Sequence, residues 1–156
     1  MVEIRKGLLD DLPQVHALIL ELAIYERAPQ EVTNTLAEME LDGFGENPIY
    51  KFFVAESEDG IVGIALYFTA YSTWKGRTLY LEDLVVTERL RRAGIGRMLF
   101  NAVAREAKET SAKRFAWQVL EWNEPAIAFY KKIGATLETD WYNCRMTEEQ
   151  IKQYSA

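Results

Sequence analysis

The spacing of hydrophobic and polar residues predicts four strands in the first half of the chain. Apolar and charged residues alternate over residues 2–6, as in a half-buried strand. Two longer apolar runs, residues 50–56 and 61–71, flank a Glu-Asp-Gly turn and predict a hairpin. A polar loop over residues 72–77 then leads into an apolar strand at residues 79–86. Three successive strands without an intervening helix indicate an antiparallel meander.

Helical spacing of apolar residues predicts two helices in the same half, at residues 11–26 and 33–41. The candidate N-caps are Asp10 or Asp11 for the first helix and Thr33 or Thr35 for the second. Two glycines within residues 42–45 are expected to end the second helix.

The second half of the chain predicts a strand between helices. An apolar stripe over residues 96–108 indicates an amphipathic helix, and residues 114–120 form the next strand, which should run parallel to the strand before the helix. Residues 123–133 are a helix between an Asn cap and a following glycine. Residues 136–146 are expected to close the sheet, and residues 147–154 to add a last helical turn. The expected class is α/β, with a mixed, mostly antiparallel central sheet flanked by helices.

Composition limits the possible functions. A chain of 156 residues with 49% hydrophobic residues is expected to form one globular domain over residues 1–156. Its 18 basic and 24 acidic residues give a net charge of -6, which argues against nucleic acid or an anionic membrane as partner and favours a small cationic substrate. One cysteine, Cys144, excludes an internal disulfide, and no metal-ligand spacing is present. The lone histidine, His16, is expected at a surface or an interface.

No segment resembles a membrane span or a secretory signal. The most continuous apolar run, residues 61–71, is too short to cross a bilayer. The first ten residues carry charges where a signal peptide would be apolar. We therefore expect a cytoplasmic protein.

Residues 79–99 carry the strongest functional pattern, a strand that runs through a basic, glycine-containing turn into a helix. Gly94 and Gly96 permit close approach of the backbone, and the first N–H groups of a helix attract phosphate. A dinucleotide-binding fingerprint would need glycine at the position of Leu99, and the Gly-Lys-Ser/Thr of a Walker A loop is absent. A purely structural turn with solvated arginines remains the alternative.

Two carboxylates interrupt the apolar strand. Glu82 and Asp83 lie among leucine, tyrosine and valine, where an unpaired charge is costly. Strand alternation sends them to opposite faces unless a bulge intervenes. A carboxylate with a raised pKa can accept the proton of an ammonium group, so one of them is a candidate general base. A buried carboxylate with structural partners is the alternative.

A tyrosine is the candidate general acid. Asn123, Ala126 and Tyr130 fall on one face of the predicted helix. A phenol beside a leaving thiolate can donate a proton to it. The alternative is that Tyr130 packs with Phe129 in the core.

Five stretches together resemble the spermidine/spermine branch of the GNAT superfamily of N-acetyltransferases, which includes thialysine N-epsilon-acetyltransferases. They are residues 21–26, 42–48, 80–83, 91–96 and 121–130. The resemblance implies the acyl-CoA N-acyltransferase fold, with central strands that splay apart to admit acetyl-CoA. It also implies direct transfer without an acyl-enzyme, no metal, and a homodimer with substrate sites near its interface.

The resemblance also implies roles for individual residues. Glu82 corresponds to the base, acting directly or through water, and Tyr130 to the general acid. The implied acetyl-CoA contacts are Leu84, Val85, Val86, Arg91, Arg92, Ala93, Gly94, Ile95, Gly96, Arg97, Asn123, Glu124, Pro125, Ala126 and Tyr130. The implied amine-site residues are Tyr25, Glu26, Trp74, Glu82, Asp83, Ala116, Trp117 and Gln118.

Residues 71–76 are similar to the thialysine enzymes, because they lack the aspartate that the polyamine enzymes tend to have there. Thialysine or a lysine-like amine is therefore the favoured substrate, and a diamine or polyamine is the alternative. Two other functions stay open: a non-catalytic CoA-binding amine sensor, and acetylation of protein N-termini or lysines. Acetylation of proteins needs an open groove, whereas residues 25–48 are expected to cover the substrate site.

Overall fold

The computed structural model describes residues 1–155. They divide into two compact units, Met1–Gln118 and a second unit that begins at Val119. The single-domain organisation expected from length stays a prediction, and each unit is described by itself.

The first unit is a five-stranded sheet with helices. Its elements in chain order are β1 (Glu3–Lys6), α1 (Leu12–Tyr25), α2 (Leu36–Phe44), β2 (Lys51–Ser57), β3 (Gly60–Ser72), β4 (Gly76–Val86), α3 (Ile95–Glu109) and β5 (Arg114–Ala116). The strand order follows the chain, with antiparallel pairs from β1 to β4 and a parallel β4–β5 pair. The predicted mixed, mostly antiparallel sheet with one parallel crossover is confirmed.

The helices cover both faces of the sheet. Leu12, Val15 and Leu18 of α1 pack on Ile64 and Leu66 of β3 in a core cluster of buried side chains. Successive strand residues face opposite sides, and α3 lies on the other side, where the Leu99 side chain reaches Gly63. The sheet is therefore enclosed between α1 and α3.

The parallel β4–β5 pairing is short. It joins Thr78–Tyr80 to Arg114–Ala116 and stops there, although β4 continues to Val86. The prediction of a strand over residues 114–120 is thus wrong beyond Ala116. Trp117 packs edge-on against Phe115 and Phe100 at 5.0 and 5.2 Å between ring centroids, on the α3 side. β5 therefore ends at Ala116, and β4 continues past it to Val86 without a strand partner on that side among the described residues.

The helix boundaries differ from the pattern at two places. Thr35, the second of the two candidates, caps α2 in a reciprocal pair with Glu38. The predicted bounds 33–41 are wrong by three residues at each end, because α2 spans Leu36–Phe44, but the helix ends at Gly45, within the stretch expected to break it. Position 43 within this helix needs glycine, since a Cβ there would collide with the Tyr50 ring. Similarly, the predicted loop at residues 72–77 shortens to a hairpin turn at residues 73–75.

The second unit contains α4 (Glu124–Lys132) and α5 (Glu148–Gln153). Asn123 caps α4 by accepting a hydrogen bond from the Ala126 N–H at 3.4 Å, as predicted. The prediction that residues 136–146 form a strand is wrong: the described residues pair no strand there. Their side chains are exposed throughout, so an alternating pattern has no buried face to hold it as a strand.

Asp11 precedes α1 but does not cap it, contrary to the sequence pattern. Its buried carboxylate instead accepts two hydrogen bonds from Arg5, at 2.7 and 2.9 Å, and one from the Leu8 N–H at 2.8 Å. The hydrogen bonds from Arg5 hold the pKa of Asp11 below its ordinary value. The ionised Asp11 carboxylate therefore stabilises the fold at pH values above its unfolded-state pKa. This contribution to stability is lost as the pH falls through the folded-state pKa.

We expect Asp11→Ala to lower the free energy of unfolding by about 2 kcal/mol at pH 7, because Arg5 and Leu8 lose their acceptor. Denaturant titration measures this, and the difference from wild type should shrink in acid. Asp10→Ala is the matched control, since Asp10 is exposed. Equal stability of the two variants would contradict the role of Asp11.

Candidate active site

A β-bulge in β4 places two carboxylates on the same side of the sheet. Leu66 of β3 pairs with Asp83, and the next residue, Tyr67, pairs with Leu81, so Glu82 is the extra residue. Without the bulge, Glu82 and Asp83 would point to opposite faces. With it, both residues line one cavity. The sequence left this choice open, and the structure decides it.

The cavity has a volume of about 530 Å³ and lies within the first unit. Its apolar wall is formed by Ile19, Val32, Met39, Ile49, Leu66 and Phe68. Its polar lining consists of His16, Asn34, Asp42, Tyr50, Thr69, Glu82 and Asp83. Among the described residues that line it there are three carboxylates and neither lysine nor arginine. Such a chamber suits an aliphatic chain that carries a positive charge.

The Asp83 carboxyl has a strongly altered proton affinity. Burial raises its pKa to about 7, and the negative charges of Glu82 and Glu26 contribute to the rise. Glu82 itself is exposed. Burial also raises the pKa of Glu26, which follows the last residue of α1. An acid that titrates near neutral pH in a cavity is a functional-site candidate, because it can accept or release a proton under physiological conditions.

Helix α1 and the segment between α1 and β2 supply much of the cavity wall, and the sequence analysis missed their polar residues. His16 lies in this wall with Nε2 3.2 Å from the Asn34 carbonyl oxygen, and is half-buried rather than on the surface. The Tyr50 hydroxyl donates to the Met39 carbonyl oxygen, and burial together with the Asp42 charge raises its pKa to about 12. Only the expectation that residues 25–48 form a cover pointed to this wall.

The other expected amine-site residues are placed differently. Glu26 is close enough to influence the charge of Asp83. Trp74 is 85% exposed at the hairpin turn between β3 and β4. Trp117 packs on the α3 side with Phe100 and Phe115. Ala116 ends β5, and Gln118 is exposed and ends the first unit. The structure thus brings Glu26, Glu82 and Asp83 together, and places Trp74 and Trp117 elsewhere.

The turn before α3 has the features of an anion site. Gly94, at the N-cap of α3, has φ +81° and no side chain, so the first N–H groups of the helix have no side-chain cap. Arg92, with φ +70°, and Arg97 are exposed on either side. Ala93 is also exposed, whereas Ile95 is buried and anchors the helix. Exposed guanidiniums around a free helix N-terminus fit a diphosphate group.

The strand that precedes this turn has a free edge. Beyond Tyr80, β4 has no strand partner on its β5 side among residues 1–155. This part includes Leu84, Val85 and Val86, of which Val85 is buried in the core cluster. Unpaired backbone groups at a strand edge can hydrogen-bond an amide-containing chain.

The candidate acid lies in the second unit. Tyr130 of α4 is buried, and its ring centroid is 5.4 Å from that of Phe129. The helix begins with Glu124 and Pro125 after the Asn123 cap. The contact with Phe129 was the structural alternative for Tyr130, and it is present, but it leaves the role of the hydroxyl open.

Two kinds of site are not seen in the part of the chain that the structure describes. No group of three or more His, Cys, Asp and Glu side chains is arranged to hold a metal ion. No helix is both long and apolar enough to cross a membrane.

Comparison with known proteins identifies the origin of this arrangement. The model of the acetyltransferase (GNAT) family matches residues 14–135. The thialysine N-epsilon-acetyltransferase of Bos taurus is 37% identical over 163 residues, covering 97% of this chain and 96% of that protein. A Homo sapiens spermidine/spermine N(1)-acetyltransferase-like protein 1 is 32% identical, covering 96% of this chain but 23% of its own length. These matches include both the cavity residues and the turn before α3.

A solved structure shows the same fold. An integron cassette protein from the mobile metagenome of V. cholerae superposes with a TM-score of 0.78 at 25% identity, covering 97% of this chain and 96% of that chain. The expected acyltransferase fold is therefore confirmed.

Proposed function

Since the chain belongs to the acetyltransferase (GNAT) family, a family that takes its acetyl group from acetyl-CoA, we propose that it acetylates the side-chain amine of thialysine or of a lysine-like amino acid. Acetyl transfer to an amine follows from the family and the near-full-length relatives. The particular amine, the site residues and the assembly state are parts of the proposal.

The observation that carries the proposal is the bulge that turns Glu82 and Asp83 into one largely apolar cavity. An aliphatic amine of pKa ~10.4 is uncharged in only about one molecule in 2,500 at pH 7, so the enzyme must remove a proton before attack. The carboxylates can hold the ammonium group and then accept its proton.

We assign two proton transfers and the binding of the ammonium group to three side chains. Glu82 accepts the ammonium proton directly or through a water, and Asp83 holds the ammonium group beside it. The freed nitrogen attacks the thioester carbonyl carbon to form the C–N bond, the C–S bond breaks, and the nitrogen gives up its second proton, which restores the Tyr130 hydroxyl. The Tyr130 hydroxyl gives its proton to the leaving thiolate. The charges around Asp83 support the roles of the two carboxylates, and the resemblance at residues 121–130 supports the role of Tyr130 as the acid.

Following the resemblance, we assign acetyl-CoA binding to three segments of the chain. The backbone of Leu84, Val85 and Val86 receives the pantetheine arm at the free edge of β4. The turn at residues 91–97 receives the diphosphate, with the backbone N–H groups of α3 and the exposed Arg92 and Arg97. Residues 123–126 of α4 add further contacts.

A diamine or polyamine is the second candidate substrate. The three carboxylates that line the cavity favour a substrate with more than one positive charge. The relative at 37% identity and the stretch at residues 71–76 favour thialysine.

A substrate panel tests the proposal. Thialysine, lysine, ornithine, putrescine and spermidine are incubated with acetyl-CoA, and release of free thiol is followed. We expect the highest kcat/KM for thialysine. Higher kcat/KM for spermidine would establish the second candidate, and turnover of peptides alone would indicate a protein acetyltransferase. A lack of turnover with every amine, together with retained CoA binding, would indicate the non-catalytic sensor.

The homodimer implied by the resemblance stays part of the proposal. Tyr71 and Trp74, exposed at the β3–β4 hairpin, offer apolar area that a second copy could cover. Sedimentation equilibrium measures the assembly state, and a monomer at all concentrations would contradict the dimer. The cytoplasmic location stays a prediction.

A further inference from the structure

Arg91 opens the turn before α3, and its side chain packs against the protein. Arg92 and Arg97 are exposed, whereas Arg91 is half-buried. Its Nε donates to the Val86 carbonyl oxygen at 3.2 Å, at the end of β4. Its guanidinium carbon lies 4.6 Å from the centroid of the Tyr25 ring, in α1.

A carboxylate completes this contact. Glu21, one turn before Tyr25 in α1, has Oε1 3.9 Å from Nη2 of Arg91. The same carboxylate accepts the Glu88 N–H at 2.7 Å and the Thr87 hydroxyl at 3.2 Å. Glu21 therefore binds the chain on both sides of the 3₁₀ turn Glu88–Leu90, through which β4 reaches the turn before α3.

These contacts join two parts of the proposed site. The last turn of α1 carries Tyr25 and leads to Glu26, whose charge affects Asp83. Val86 ends the strand assigned to the pantetheine arm. The Arg91 guanidinium thus contacts Val86 along one edge, Glu21 along another and the Tyr25 ring with one face. These contacts are all within the protein. A flat guanidinium suits such a stacked, hydrogen-bonded position, which lysine cannot reproduce.

We propose that Arg91 is a positioning residue that fixes the end of α1 to the end of β4, rather than a ligand of the diphosphate. The inference rests on the proposed function. Its consequence is that Arg91 sets the geometry of the amine site, while Arg92, Arg97 and the backbone of α3 bind the phosphates.

The test compares Arg91→Ala with Arg97→Ala in two measurements. The first is the Kd of CoA, determined by calorimetry without amine. The second is the KM of thialysine, measured both with acetyl-CoA and with acetyl-pantetheine, which lacks the diphosphate. Arg91→Ala should change the Kd of CoA by less than about threefold and raise the KM of the amine about tenfold with either donor, as expected for loss of a charge-assisted hydrogen bond and a cation–π contact. Arg97→Ala should instead weaken CoA binding and leave the KM of the amine unchanged, and its effect should be seen only with acetyl-CoA.

Two further variants identify the mechanism. Glu21→Ala should raise the amine KM as Arg91→Ala does, and the double variant should add little, because both changes break the same linkage. Arg91→Lys keeps the charge without the planar stack, so it should also raise the amine KM, and it serves if Arg91→Ala does not fold by circular dichroism.

The inference is overturned if Arg91→Ala or Arg91→Lys weakens CoA binding about tenfold or more while the amine KM stays unchanged. The calorimetric comparison needs no turnover. Failure of the proposed function, seen as an inactive wild-type protein, is therefore distinguishable from failure of this inference.

Discussion

Tyr130→Phe is expected to lower kcat about 100-fold for thialysine, with little change in the Kd of CoA, as for loss of a general acid. The thiol of CoA has a pKa near ~8.5 and leaves as a thiolate at neutral pH unless a neighbouring group protonates it. A free tyrosine phenol has a reference pKa of ~10, so it carries a proton at neutral pH that it can donate. Phenylalanine keeps the ring and its contact with Phe129, so the effect isolates the hydroxyl. Steady-state kinetics and calorimetry provide the two values.

Tyr142→Phe is the matched control in the same unit. Tyr142 is 98% exposed, and its replacement should leave both kcat and CoA affinity unchanged. If Tyr130→Phe reduces CoA affinity as strongly as kcat, the hydroxyl serves binding or packing, and Tyr130 is not the acid.

The sequence predicted the sheet well because its strands have strong local signals. The run at residues 61–71 is apolar enough to be buried on both faces, and β3 indeed occupies the centre of the meander. Residues 117–120 and 136–146 also include aliphatic and aromatic residues, but neither range pairs with a strand. Strand formation depends on a partner and a buried face, and neither can be read from local alternation.

The two candidate carboxylates show the same limit at the level of single residues. Their position in an apolar strand marked Glu82 and Asp83 as functional candidates. The face that each would occupy depended on a one-residue register shift opposite Leu66 and Tyr67, which involves a strand more than ten residues away in sequence. The polar wall formed by His16 and Asp42 was missed for a similar reason, since contacts across the cavity leave no periodic pattern.

Asp83→Asn is expected to remove the pH dependence of kcat/KM near neutrality. In the wild-type protein, kcat/KM for thialysine should rise with pH through about 7, because the Asp83 carboxyl must lose its proton to hold the ammonium group. Asparagine cannot ionise, so this step should vanish, and kcat/KM at pH 8 should fall about 100-fold. Glu82→Gln should lower kcat/KM at every pH because it removes the proposed base, and the remaining step should move to lower pH, since a negative charge that raises the pKa of Asp83 is lost. A pH profile of initial rates for the three proteins measures both shifts.

Stability measurements separate this titration from effects on the reaction. Because the folded protein retains the Asp83 proton up to about pH 7 while the unfolded chain releases it near 3.8, the contribution of this group to stability falls as the pH rises between these values. Asp83→Asn should remove that decline and raise the melting temperature at pH 8 by about 3 °C. Glu58→Gln, at an exposed position in the β2–β3 turn, should change neither the profile nor the melting temperature. If Asp83→Asn melts like wild type at every pH and keeps the kinetic step near 7, then the group that titrates in the cavity is not Asp83, and the ammonium must be held elsewhere.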